Sequence, residues 1–161
     1  MVMPFNADEV FEMAEQIERN GAKFYRAAAE KFPEVRQVFS DLAAMEDEHE
    51  KTFAAMRAEL SGTEIKPPVF DPDGQAQMYL RAMADEHVFN IKADPVEQLA
   101  GKETPEEVLK MAIGLEKDSI VFYVGLKESV SPRAGKDKVQ AIIKEEIDHI
   151  ATLSQKLGAL K

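Results

Sequence analysis

The chain contains no cysteine. That excludes disulfides, thiolate metal ligands, iron–sulfur clusters and a cysteine nucleophile together. No apolar run approaches the roughly 18 residues that a membrane-spanning helix requires. The opening residues, Met1-Val2-Met3-Pro4-Phe5, lack the basic stretch and apolar core of a secretory signal, so the cytoplasm is the expected location. Positive charge is also in deficit: 20 basic residues stand against 30 acidic ones, giving a formal charge of −10. A nucleic-acid binder needs a concentrated basic face, so that class of partner is excluded. Sustained alternation of apolar and polar residues is missing as well, and no sheet is expected.

What remains is a chain of 161 residues, 45% apolar and 31% charged, large enough to bury a core. Four long segments carry helical periodicity. Segment A runs from about Asn6 to Lys31, opened by a capping box of Asn6 and Glu9 and stopped by Pro33. Segment B covers about Glu34 to Leu60 and ends at Ser61-Gly62. Segment C opens at Thr104-Pro105-Glu106-Glu107, with Thr as cap and Pro in the first turn, and continues to about Glu128. Segment D spans about Lys136 to Leu157, with Gly158 expected just past its end. Between B and C, residues 61–74 read as a loop, Gln75 to Phe89 as one short amphipathic helix, and residues 90–103 as irregular.

The connections predict the topology. Short links make A–B and C–D antiparallel hairpins. The B–C connection is 43 residues long, enough to return along a helix of about 40 Å. One long crossover in an all-α four-helix bundle is the ferritin-like arrangement rather than the simple up-down one.

Polar residues then stand where the core should be. In segment B the apolar seam Val35, Phe39, Leu42 resumes at Phe53, Met56, Leu60, and the intervening seam positions are Glu46 and His49. Segment D does the same, with Val139 and Ile142 leading through Glu146 and His149 to Leu153 and Leu157. Glu18 in segment A and Glu116 in segment C each lie on an inward stripe, flanked by Ala14 and Ala22, and by Ala112 and Ile120. A buried carboxylate must be protonated, paired or bound to a metal. Lys and Arg are absent from these inward positions. Two divalent ions would balance four carboxylates and leave one neutral imidazole for each metal. The alternative is a metal-free bundle with these groups exposed or protonated.

The sequence also resembles itself. Ile17-Glu18-Arg19-Asn20 followed by Phe24-Tyr25 matches Leu115-Glu116-Lys117-Asp118 followed by Phe122-Tyr123, at an offset of 98. Glu46 to His49 matches Glu146 to His149 at an offset of 100. Two such hairpins packed face to face bring the six groups together about a pseudo-twofold axis. A single Glu-x-x-His is a weak motif, and the third histidine, His87, has Ala84 three residues before it, so packing is its expected role. Tyr25 and Tyr123 read either as core aromatics or as hydrogen-bond donors to the ligands. The eight methionines read as core filler.

At Ile17-Glu18, Phe24-Tyr25, Met45-Glu46-Asp47-Glu48-His49, Leu115-Glu116-Lys117-Asp118-Ser119 and Glu145-Glu146-Ile147-Asp148-His149 the chain resembles the rubrerythrin branch of the ferritin-like superfamily. The resemblance covers all four long segments and implies one ferritin-like domain over residues 1–161 with a carboxylate-bridged di-iron centre. It implies that Glu46 and Glu146 bridge the metals, that Glu18 and Glu116 are terminal ligands, and that His49 and His149 each complete one iron. There are two departures. Typical rubrerythrins carry a four-cysteine rubredoxin domain, so here a separate protein is expected to donate electrons. They also carry a further glutamate one turn after the third-helix ligand, associated with peroxide reduction, where this chain has Ser119. The family often forms dimers, some with exchanged helices, and a homodimer is the expected assembly.

The expected function is therefore reduction of hydrogen peroxide or dioxygen at a di-iron site, as a peroxidase or ferroxidase, with electrons from a separate donor or from Fe(II). A set of four carboxylates and two imidazoles suits iron and would also take manganese. Iron binding and handling without turnover needs the same ligands. A purely structural bundle needs none.

Overall fold

The computed structural model describes residues 5–62, 73–85, 94–101 and 103–160. Helix α1 spans Ala7–Lys31, and its first turn is closed as the sequence predicts: Glu9 N–H donates to Asn6 Oδ1 at 2.8 Å and Asn6 N–H to Glu9 Oε2 at 2.9 Å. Pro33 does more than stop α1. It opens a single 3-10 turn, Pro33–Val35, from which α2 continues over Arg36–Ala58. The α-helix thus begins two residues later than the expected Glu34, because the proline ring fixes the turn but cannot donate to the preceding carbonyls.

The short helix α3 occupies Gln75–Asp85. Its expected extension over residues 86–89, and His87 with it, lies outside the described residues. The stretch expected to be irregular contains a second 3-10 turn, Pro95–Gln98, capped by Asp94, whose Oδ1 accepts from Val96 N–H at 3.0 Å. Helix α4 covers Pro105–Ser129, with the Thr104–Glu107 capping box formed. Helix α5 covers Lys136–Ala159. Gly158 is therefore inside the last turn rather than beyond it; Leu160 N–H closes that turn on Lys156 O at 3.2 Å, so no left-handed glycine cap is needed. Among the described residues there is no strand, and no helix is long and apolar enough to cross a membrane.

The four long helices form the two hairpins of a ferritin-like four-helix bundle. Their core divides into two apolar clusters. One gathers Val10, Phe11 and Ile17 of α1, Phe53 and Met56 of α2, Phe122, Tyr123 and Leu126 of α4, and Val139 and Ile142 of α5. The other gathers Phe24 and Tyr25, Phe39 and Leu42, Leu109 and Ala112, and Leu153 from the opposite halves of the same helices. The start of α1 thus lies with the end of α2 and the end of α4, so the chain must travel the length of the bundle between α2 and α4. Asp94 in that crossover is tied to α1 by Lys23, Nζ to Oδ2 3.0 Å, and Leu99 is buried in the second cluster.

Two glycines are required by what they touch. Gly135, at the start of α5, has φ +114°, and a Cβ there would lie 2.6 Å from Met56 Cε. Gly125 on α4 admits α3: a Cβ would collide with the Tyr79 ring, whose hydroxyl donates to Val121 O at 2.5 Å.

Candidate metal centre

Between the two apolar clusters lies a polar layer. Glu18 of α1, Glu46 and His49 of α2, Glu116 of α4, and Glu146 and His149 of α5 are all buried, Glu146 completely, at 0% exposure. Each is delivered by the helical register: the i, i+3 spacing of Glu-x-x-His puts both side chains of a motif on one face, and that face is the seam.

The six groups form two overlapping sets. One is Glu18, Glu46, His49 and Glu146; the other is Glu46, Glu116, Glu146 and His149; within each set one ligand atom per residue lies within 4.8 Å of the others. Glu46 and Glu146 belong to both. Their oxygens divide accordingly: Glu146 Oε1 is 3.0 Å from His49 Nδ1 and Oε2 is 3.0 Å from His149 Nδ1. Glu46 Oε2 is 3.9 Å from His49 Nδ1 and Oε1 is 3.3 Å from His149 Nδ1. Glu18 approaches only His49, at 3.5 Å, and Glu116 only His149, at 3.5 Å. The two imidazoles are stacked, centroids 5.6 Å apart.

The tyrosines cross between hairpins. Tyr25 of α1 donates to Glu116 Oε1 on α4, and Tyr123 of α4 donates to Glu18 Oε1 on α1. Each buried hydroxyl therefore fixes the carboxylate of the other hairpin. Burial, and then the neighbouring carboxylates, pushes both phenols well above their usual range, which keeps them as neutral donors.

The electrostatics are those of a cluster short of positive charge. Burial, followed by the surrounding carboxylates, drives Glu18 and Glu46 well above the ordinary carboxylate range and Glu116 to about 8. Glu146 is the exception: burial and Glu46 oppose its ionisation, but the closely approaching Glu116 carboxyl and the His149 and His49 imidazoles outweigh them and hold it low. Against the opposing effect of burial, the carboxylates raise His49 to about 9 and His149 to about 12. The all-protein cluster thus holds protons that metal ions would displace.

Unpaired atoms test whether metal fits. The buried side-chain atoms without a hydrogen-bond partner among the described residues are Glu18 Oε2, Glu46 Oε1, both oxygens of Glu146, Nδ1 of His49, and both ring nitrogens of His149. All but His149 Nε2 are among the atoms that converge within the two sets. Native interiors leave few such groups unmet. A pair of divalent cations would satisfy the six converging atoms together, balancing −4 of carboxylate, so the donor set fits two metal ions.

The family model described as rubrerythrin matches residues 9–157 of the chain. The chain belongs to the rubrerythrin family. A crystal structure from Thermotoga maritima, described as a putative ferritin-like diiron-carboxylate protein, is similar over 100% of both chains, with a TM-score of 0.78 and 25% sequence identity. No curated protein matches.

In this rubrerythrin-family chain one residue of the site escaped the sequence reading. Glu145 Oε2 accepts from His49 Nε2 at 2.5 Å, across from α5 to α2. Its position beside Glu146 made it an ordinary outward residue of an acidic helix. The available signal was a mismatch in the internal repeat, since the residue 100 positions earlier is Met45. Two positions beside the layer are small. A Cβ on Gly21 would stand 3.5 Å from the Glu46 carboxylate, and Ser119, its counterpart at the offset of 98, turns its hydroxyl back to Leu115 O at 3.0 Å.

Proposed function

We propose that the six residues hold two iron ions and that the chain is a di-iron oxidoreductase reducing hydrogen peroxide or dioxygen. The observation that carries this reading is the pair of four-donor sets sharing Glu46 and Glu146. Sharing of that kind supports bridging by these two carboxylates, with Glu18 and His49 completing one ion and Glu116 and His149 the other. Oxygen-rich donors with one imidazole apiece suit Fe(II) and Fe(III), and manganese is the other metal they accommodate.

Two ferrous ions held by these residues would supply the two electrons that, with two protons, reduce hydrogen peroxide to two waters. The protein does the rest. The apolar clusters on both sides of the layer exclude bulk water, which strengthens every electrostatic contact within it. Tyr25 and Tyr123 hold Glu116 and Glu18 in place and keep a proton at Oε1 of each. Glu145 accepts the outer proton of His49 and leaves Nδ1 turned toward the carboxylates. The four glutamates disfavour net gain of negative charge at the centre, so uptake of protons with electrons is built in. In this reading electrons come from a separate donor protein or from Fe(II).

Ser119 favours a second reading. The position one turn after Glu116 carries a hydroxyl committed to its own helix rather than an acid, which removes a group associated with peroxide reduction in the family. Iron handling without turnover follows if that acid is indispensable. Anaerobic loading with Fe(II), followed by one equivalent of peroxide or of dioxygen, separates the two. Rapid growth of a diferric absorption at two irons per chain is expected. Unchanged oxidant with more than two irons retained per chain would select iron handling.

A further inference from the structure

We propose that the two metal positions are unequal: the His49 position fills first because Glu145 anchors that imidazole, while His149 finds no such anchor among the described residues. This rests on the metal-binding reading above and deepens it.

The pseudo-twofold that relates the two hairpins is kept by every ligand and both tyrosines. It fails at positions 45 and 145. Glu145 sits immediately before its Glu-x-x-His motif and reaches across to His49 Nε2 at 2.5 Å. The side chain is 51% exposed, so its charge is partly solvated and is free to act as an acceptor. With Nε2–H committed to Glu145, the ring plane of His49 is fixed and its Nδ1, which gives up its proton when a metal binds, faces Glu146, Glu18 and Glu46. The His49 ring is thus oriented toward the metal position before an ion arrives.

His149 presents the same Nδ1 to the centre, 3.0 Å from Glu146 Oε2 and 3.3 Å from Glu46 Oε1. Its outer nitrogen, Nε2, is buried and finds no partner among the described residues. In the corresponding register α2 carries Met45, 37% exposed, whose thioether is only a weak acceptor. Coordination through Nδ1 leaves His149 with a buried Nε2–H that finds no partner among the described residues, a cost that His49 does not bear. Glu145 is a positioning residue: it touches neither ion and acts through the ring it orients. Outer partners of metal-binding histidines change affinity by roughly 10- to 100-fold, which sets the expected separation between the two positions.

Ion–ion repulsion would by itself spread two binding steps, so the order of filling must be read residue by residue. The three histidines of the chain can be resolved by 15N-imidazole NMR during titration of the metal-free protein with Zn(II), which is diamagnetic. In the wild type the His49 Nδ1 resonance is expected to move with the first equivalent and that of His149 with the second. Glu145→Ala should weaken the first step by roughly 10- to 100-fold and abolish the order, with Glu145→Gln, which keeps an acceptor oxygen, lying between. Met45→Glu should tighten the second step. His149 moving first or together with His49 in the wild type would overturn the proposal while leaving a two-metal site intact. So would an unchanged order in Glu145→Ala or an unchanged second step in Met45→Glu. Protein that keeps its helical spectrum and binds no Zn(II) would overturn both this proposal and the metal centre beneath it.

Discussion

Replacing Glu46 and Glu146 together by glutamine changes shape little and charge greatly, and it is the most informative single perturbation. Each of these residues serves both four-donor sets, so the double variant weakens two of four donors around each ion and halves the carboxylate charge from −4 to −2. At a free metal concentration 100 times the dissociation constant, one site stabilises the fold by about 2.7 kcal/mol, and two by about 5.4 kcal/mol. For a chain of 161 residues that corresponds to a rise in Tm of about 10–20 °C. Scanning calorimetry with and without Fe(II) under anaerobic conditions, repeated with Mn(II), measures it. The double variant should show almost none of this rise. Its metal-free Tm should stay near that of the wild type, because burial and neighbouring charge disfavour ionised Glu46 while the neighbours of Glu146 favour its ionised form, so the two replacements act in opposite directions. A metal-dependent rise that persists in the variant would place the ions elsewhere. A metal-free variant destabilised by several kcal/mol would make these glutamates structural.

Other consequences can be measured alongside. Glu116 and His49 keep their protons in the folded chain up to about 8 and about 9, after the unfolded chain has released them. Stability of the metal-free protein should therefore fall as pH rises from 6 to 9 in thermal melts, and metal should add more to Tm at pH 8 than at pH 6. Tyr25→Phe should strip a buried oxygen of Glu116 of its donor and lower metal affinity by roughly 10- to 100-fold in a competition titration; Tyr123→Phe should do the same through Glu18. Gly135→Ala forces a side chain into a left-handed conformation against Met56 and should cost about 1–3 kcal/mol in a denaturant melt, with metal stoichiometry unchanged.

The parts of the molecule that follow from local spacing were legible in the sequence. The capping boxes at Asn6 and Thr104, the two hairpins, the crossover and the interruption of two apolar seams by Glu-x-x-His are all properties of neighbouring turns of helix, and all stand in the structure. What depends on packing between hairpins was not legible. Periodicity cannot distinguish Glu145 from Lys144 or Asp148, exposed residues of the same helix; only the approach of α5 to α2 gives Glu145 its histidine partner. The crossing of Tyr25 to Glu116 and Tyr123 to Glu18, rather than to the carboxylate of its own helix, is equally a matter of how α1 faces α4. Helix ends slipped for a simpler reason. Pro33 was compatible with a stop or a start and serves as both, and Gly158 tolerates a helical turn as readily as it ends one.

The polar layer between two apolar clusters also fixes how far one hairpin can slide along the other. A slip of one helical turn, about 5.4 Å, would keep ridges in grooves and leave most aliphatic contacts replaceable. It would also drive Glu18 and Glu116 away from Tyr123 and Tyr25 and toward the apolar side chains of the opposite hairpin, where a carboxylate has no partner. Long bundles of uniform leucine lack such a reference mark. Here the groups that give the molecule its chemistry also act as a ruler, and only one alignment of the two hairpins reads correctly.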